Sequence, residues 1–145
     1  MKVLLEDLIE AIEYEGELLK HYYNKKTGVI VYEEDESTSL YKVSDIDHIE
    51  DFEEWEQELI YSLCDIKNNP QDYIPLPNIN ELDEYKLMVE FCNINNKKEL
   101  VKDNIREIRR AIEDSELINE WYKFRENKEK EIAINWCKIN NIELE

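Results

Sequence analysis

Leu18-Leu19-Lys20-His21-Tyr22-Tyr23 and Val29-Ile30-Val31-Tyr32-Glu33, separated by Asn24-Lys25-Lys26-Thr27-Gly28, decide the fold class. Both flanks are rich in aromatic and β-branched side chains, which suit a pleated, half-buried strand. The segment between them ends in glycine and has the length of a hairpin loop. An isolated hairpin is marginal in water, so a further strand is needed, and Leu40-Tyr41-Lys42-Val43 is its expected source. Asp72-Tyr73-Ile74-Pro75-Leu76-Pro77 contains two prolines that donate no ladder hydrogen bond. It is therefore an extended edge segment or a spacer.

Outward from the hairpin the period changes from two to about 3.6. Leu4 or Leu5, Leu8 and Ile12 predict a helix over 4–14, with Gly16 just past its end. Ile49, Phe52, Trp55, Leu59, Leu63 and Ile66 predict a helix over 49–66, stopped by Asn68-Asn69-Pro70. Three more are expected over 81–94, 98–112 and 117–138. The fold class is α+β: a small N-terminal antiparallel hairpin or sheet with a helix, followed by a bundle of about four helices. The 145 residues fit one domain over 1–145, with no linker or internal repeat.

Charge narrows the function classes. Thirty-six acids against 18 Lys and Arg give −18, which points away from direct DNA binding and from a basic membrane-surface protein. No apolar run approaches the roughly 20 residues of a membrane span, and acids interrupt the first apolar residues, unlike a secretory signal. The scattered Cys64, Cys92 and Cys137 read as reduced, buried thiols, so a cytoplasmic location is expected. Two glycines leave no phosphate-cradling loop, and two histidines with three distant cysteines make no zinc spacing. An EF-hand frame from Asp45 fails at Ile49 and Glu50, where a ligand and a turn glycine are needed. No catalytic residue, metal or cofactor is assigned, and the balance leans away from an enzyme.

Two surfaces remain as candidates. Glu33 to Glu58 holds twelve acids against Lys42 alone, a local charge of −11. Glu33, Glu34, Asp35, Glu36, Asp45, Asp47, Glu50, Asp51, Glu53 and Glu54 are the expected contact residues for a basic protein partner. The plain reading of the same run is a solvated face that keeps the chain soluble. The alternative surface is cationic. Lys98, Lys102, Arg106, Arg109 and Arg110 step by three and four, and in the last helix Arg125 and Lys128 fall inside the apolar stripe of Trp121, Phe124 and Ile132. Arg106, Arg109, Arg110, Trp121, Tyr122 and Arg125 are thus candidates for binding a small anion, a nucleotide or RNA. The competing expectation is structural: Arg125 meets a carboxylate or an aromatic face, and Lys128 runs its stem along the apolar stripe.

Glu120-Trp121-Tyr122-Lys123-Phe124-Arg125, then Ile132-Ala133, Trp136-Cys137 and Asn140-Asn141-Ile142, carry a resemblance that also covers Tyr22-Tyr23-Asn24 to Thr27-Gly28 and Asp72–Pro77. In these stretches the chain resembles uncharacterised protein family 0158 of bacteria. The resemblance implies a compact cytosolic protein and brings no activity. Members carry a double arginine ahead of the last helix, which Arg109-Arg110 preserves, while their flanking Gly and Phe residues are absent here.

Overall fold

The computed structural model describes residues 1–16, 18–78 and 82–145. The chain forms two compact units, Met1–Asn78 with Ala133–Glu145, and Ile79–Ile132. The elements are β1 (Lys2–Val3), α1 (Leu5–Tyr14), β2 (Leu19–Asn24), β3 (Ile30–Glu34), α2 (Glu54–Asn68), β4 (Tyr73–Pro75), α3 (Glu84–Ile94), α4 (Ile105–Asp114), α5 (Ile118–Ile139) and β5 (Glu143–Leu144). The α+β class is as the sequence predicts: a three-stranded antiparallel sheet built on an N-terminal hairpin, and four α-helices after that hairpin.

In the first unit β2 is the central strand, in the order β3-β2-β4. The hairpin register pairs Tyr23 with Ile30 and Leu19 with Glu34. Asn24 builds the turn: its Oδ1 accepts from the amides of Lys26 (2.9 Å) and Thr27 (3.3 Å), and its carbonyl accepts from Gly28 (2.8 Å). Gly28 has φ +75, a left-handed conformation, and a Cβ there would lie 3.4 Å from the Lys2 carbonyl oxygen. A side chain would meet backbone strain there, while its neighbours would stand at ordinary contact distance. Gly28→Ala is therefore expected to destabilise the first unit by about 1–2 kcal/mol. Urea unfolding of the two proteins side by side checks this.

The third strand comes from a different segment than expected. Residues 40–43 pair with no strand, whereas β4 pairs antiparallel with β2, Ile74 opposite Tyr23. Tyr41 is drawn away by its side chain: its hydroxyl donates to Glu56 (2.9 Å), and its ring meets Phe52 and Trp55 edge-on. Pro75 is tolerated in β4 because that strand lies at the sheet edge. Tyr73 anchors the edge strand. Its hydroxyl donates to Asp65 of α2 and accepts from Asn24 Nδ2 (3.2 Å). Burial and the Asp65 contact push the Tyr73 phenol up to about 12, and the same contact holds the Asp65 carboxyl below its ordinary range.

The helix expected over 49–66 is two pieces. Val43–Asp51 is 3-10 in character, and α2 begins after Phe52 and Glu53, both extended. Glu56 Oε1 accepts the Glu53 amide (3.0 Å), a capping contact that starts a new helix instead of continuing the old one. Of the expected stripe Ile66 is buried, but Ile60 is buried in place of Leu59, Leu59 and Leu63 are half-buried, and Trp55 is exposed. The short β1–β5 pair is parallel, Val3 opposite Leu144. From the C-terminal part of α5, Trp136 donates to the Pro75 carbonyl (3.0 Å) and meets Tyr23 edge-on.

In the second unit α3 and α4 pack with the first half of α5 around Leu87, Met88, Phe91, Cys92, Ile108, Ile112 and Trp121. The expected helix start at Glu81 lies outside the described residues; α3 begins at Glu84, where Asp83 accepts the Lys86 amide (3.1 Å). The helix expected over 98–112 also starts later. Lys98–Leu100 is a single 3-10 turn, and Asn104 caps α4 by accepting the Glu107 amide (2.9 Å). Three helices end in one way. Asn96, Glu116 and Asn141 take positive φ, and the next amide in each case returns to a carbonyl five residues back: Lys97 to Cys92, Leu117 to Ile112, Ile142 to Cys137.

The three cysteines are free thiols; Cys92 and Cys137 are buried and Cys64 is half-buried. Burial pushes all three up, which disfavours the reactive thiolate. Among the described residues no helix is long and apolar enough to cross a membrane.

Candidate functional site

The acids of the 33–58 segment fall into two groups. Several build local structure. Asp35 closes the turn after β3, accepting from the Ser37 amide (3.2 Å) and hydroxyl, and those contacts hold its carboxyl below the ordinary range. Asp45 accepts the Lys42 amide (2.7 Å) at the entry to the 3-10 segment. Glu53 accepts from Trp55 Nε1 (2.8 Å), and Glu56 holds both the Glu53 amide and the Tyr41 hydroxyl. The Glu56 contact raises the Tyr41 phenol.

The second group points outward. Asp47, Glu50, Asp51, Glu54 and Glu58 are exposed, and among the described residues no ion pair involves any acid of this segment. The hydrogen bonds of the first group therefore fix the turns from which the second group projects. The charge belongs to an ordered ridge, and among the described residues no cation comes within ion-pair distance of it.

Beside this ridge lies a cleft of about 600 Å³. Glu33, Glu34 and Glu36 line it together with Tyr41, Val43 and Leu63, and so do Lys42 and Lys67. Carboxylates and an apolar wall within one cleft can accommodate an alkyl stem with a cationic head. The segment reading identified the three glutamates. It did not identify Tyr41, Leu63 or Lys67, because their approach depends on where α2 lies against the loop that follows β3.

The cationic candidates are arranged differently. Lys98 and Lys102 are not on α4, so the expected row shrinks to Arg106, Arg109 and Arg110, all exposed. Arg109 Nη2 lies 3.2 Å from Glu84 Oε2. Arg125 Nε lies 3.2 Å from the other Glu84 oxygen, in a direction that misses hydrogen-bond geometry, and its Nη1 lies 3.4 Å from buried Glu129. Glu84 thus occupies the place between the two arginines that an anion would take. Trp121 is 1% exposed under Phe91 and Phe124, so it offers no ring face to a ligand, whereas Tyr122 points to solvent. Lys128 pairs with Glu90 (3.2 Å) and sits over the Phe124 ring, 5.4 Å from its centre. The carboxylate partner expected for Arg125 is present, and it is Glu84 with Glu129.

One pair escaped the sequence reading. Glu15 and His21 are both buried, and Glu15 Oε2 accepts from the His21 amide (2.6 Å) and lies 3.0 Å from its ring Nδ1. A spacing of six residues brings no two side chains into contact within a single helix or strand. Only the turn between α1 and β2 brings the two together.

Comparisons with protein-family models, with curated proteins and with solved structures found no match.

Proposed function

We propose that the protein is a non-enzymatic interaction module that docks a basic protein partner on the acidic surface 33–58. One observation carries the reading: acids that project from hydrogen-bonded turns, with no ion pair to a described cation. Such a surface stores repulsion that a cationic partner relieves, and it is held in place before the partner arrives. The neighbouring cleft supplies specificity, since Tyr41, Val43 and Leu63 suit the stem of a lysine or arginine whose head reaches Glu33, Glu34 or Glu36. The proposed kinship with uncharacterised protein family 0158 adds no activity to this reading.

A fluorescent decalysine peptide is the probe. Binding to the full chain is expected at low salt and is expected to be lost by about 0.5 M salt, where the screening length falls to a few ångströms. Replacing the ridge in Asp47→Asn/Glu50→Gln/Asp51→Asn/Glu54→Gln should weaken binding about tenfold, a few tenths of a kcal/mol per exposed charge. A variant of the same net charge, Glu113→Gln/Asp114→Asn/Glu116→Gln/Glu120→Gln, should bind as the parent does. Equal weakening by both variants would show that affinity follows net charge alone and would overturn the proposal.

A further inference from the structure

β3 is joined to β2 along one side and, among the described residues, to no strand along the other. The bonds at the two ends of this ladder fix which backbone groups it uses. The Asn24 amide donates to the Val29 carbonyl (2.9 Å), and the Asp35 amide donates to the Leu18 carbonyl (2.8 Å). Antiparallel bonding alternates, and the register sets Tyr22 opposite Val31 and Lys20 opposite Glu33. Val29, Val31, Glu33 and Asp35 therefore turn their amides and carbonyls toward β2. Ile30, Tyr32 and Glu34 turn theirs outward, where no described backbone group bonds to them.

A row of unpaired amides and carbonyls is a template for another strand. This edge has no proline to block it, and its charge is gathered at one end. Ile30, Val31 and Tyr32 are apolar or aromatic, and Glu33, Glu34, Asp35 and Glu36 follow them. No described cation pairs with these four acids. Glu33 and Glu34, the last residues of β3, also line the cleft of about 600 Å³. The free edge thus runs directly into the acidic surface.

We propose that the free edge of β3 takes up an extended segment of the basic partner as an added antiparallel strand. This rests on the docking reading above and gives the partner a form. Both existing neighbours in the sheet are antiparallel, and antiparallel pairing is the slightly more stable arrangement. Charge complementarity then sets the order of the segment. Its N-terminal end lies against Glu33–Glu36 and is rich in Lys or Arg, and its C-terminal end lies against Ile30–Tyr32 and is β-branched or aromatic. Backbone bonds to Ile30, Tyr32 and Glu34 supply affinity, and the side chains supply selectivity. A second copy of this chain fits less well, because it brings a further charge of −18.

The probe is a fluorescent peptide, Lys-Lys-Lys-Lys-Thr-Val-Thr-Val, with its threonines set opposite Tyr32 and Ile30 and its valines opposite Val31 and Val29. Methylating both threonine amides removes two donors to the edge and is expected to weaken binding to the full chain about tenfold. Methylating both valine amides, which face away, should change the affinity by less than about twofold. Tyr32→Pro removes an outward amide and no bond to β2, so it should abolish the preference for the unmethylated peptide, while Tyr32→Thr keeps it. Amide spectra check that both variants fold. Equal affinity of the two methylated peptides would overturn the added strand, as would sedimentation showing that the chain pairs with itself and the peptide does not compete. Decalysine, a plain polycation, reports separately on the docking reading: its loss on the ridge variant with no threonine effect leaves docking standing and removes the strand alone.

Discussion

Trp121→Ala is expected to lower the stability of the second unit by about 3–5 kcal/mol, the range for deleting a buried tryptophan. Trp121 is 1% exposed and packs with Phe91 (ring centres 5.7 Å apart, edge-on) and Phe124 (6.1 Å). It joins Leu87, Met88, Ile108 and Ile112 in one cluster, so all three helices of the unit lose contacts when the indole is removed. The remaining cavity adds to the lost transfer energy because the helices relax only in part. The next residue is the control. Tyr122 is 60% exposed, and Tyr122→Ala should cost no more than about 0.5 kcal/mol. Urea unfolding followed by circular dichroism separates the two. Similar losses in both variants would mean that the aromatic pair forms one surface feature, as an anion floor requires, and that Trp121 is not a core residue.

Removing the carboxylate of Glu15 is the second large effect. Glu15→Ala is expected to cost about 3 kcal/mol, because a buried amide and a buried ring nitrogen lose their shared partner. The His21 amide loses a 2.6 Å bond and the ring Nδ1 a 3.0 Å contact. The change also loosens the turn that leads from α1 into β2, so exchange of the His21 amide proton should accelerate with the fall in stability. Glu15→Gln keeps an oxygen for the amide and should cost about half as much. Glu13→Ala, on the exposed side of α1, should change little. If Glu15→Ala unfolds at the same urea concentration as the parent, water replaces the carboxylate, and the pair does not hold the connection between α1 and β2.

The hairpin was legible because its signals are local. Aromatic and β-branched flanks, an asparagine that folds onto the loop amides and a glycine at φ +75 act within sixteen residues. Helix existence was legible for the same reason, since an apolar period is written along the chain. Helix starts were less so. Asn104 and Glu56 each cap through a single side-chain hydrogen bond, and a stripe of apolar residues runs across such a point without a mark. Of the candidate surfaces, the acidic run was visible as composition. Its division into acids that cap turns and acids that project was not, because that depends on which amide each carboxylate reaches.

The sequence by itself determined the α+β class, the hairpin and the existence of five helical segments, because propensity, turn chemistry and hydrophobic period act between near neighbours. The tertiary structure decided the third strand: Tyr41 leaves for Glu56 and Phe52, and Tyr73–Pro75 takes the free edge of β2. It also decided that Glu84 lies between Arg109 and Arg125, and that Glu15 backs His21. These are contacts between groups that no fixed spacing relates. Each is selected by a competition among many possible partners, and burial settles that competition only once the chain has folded.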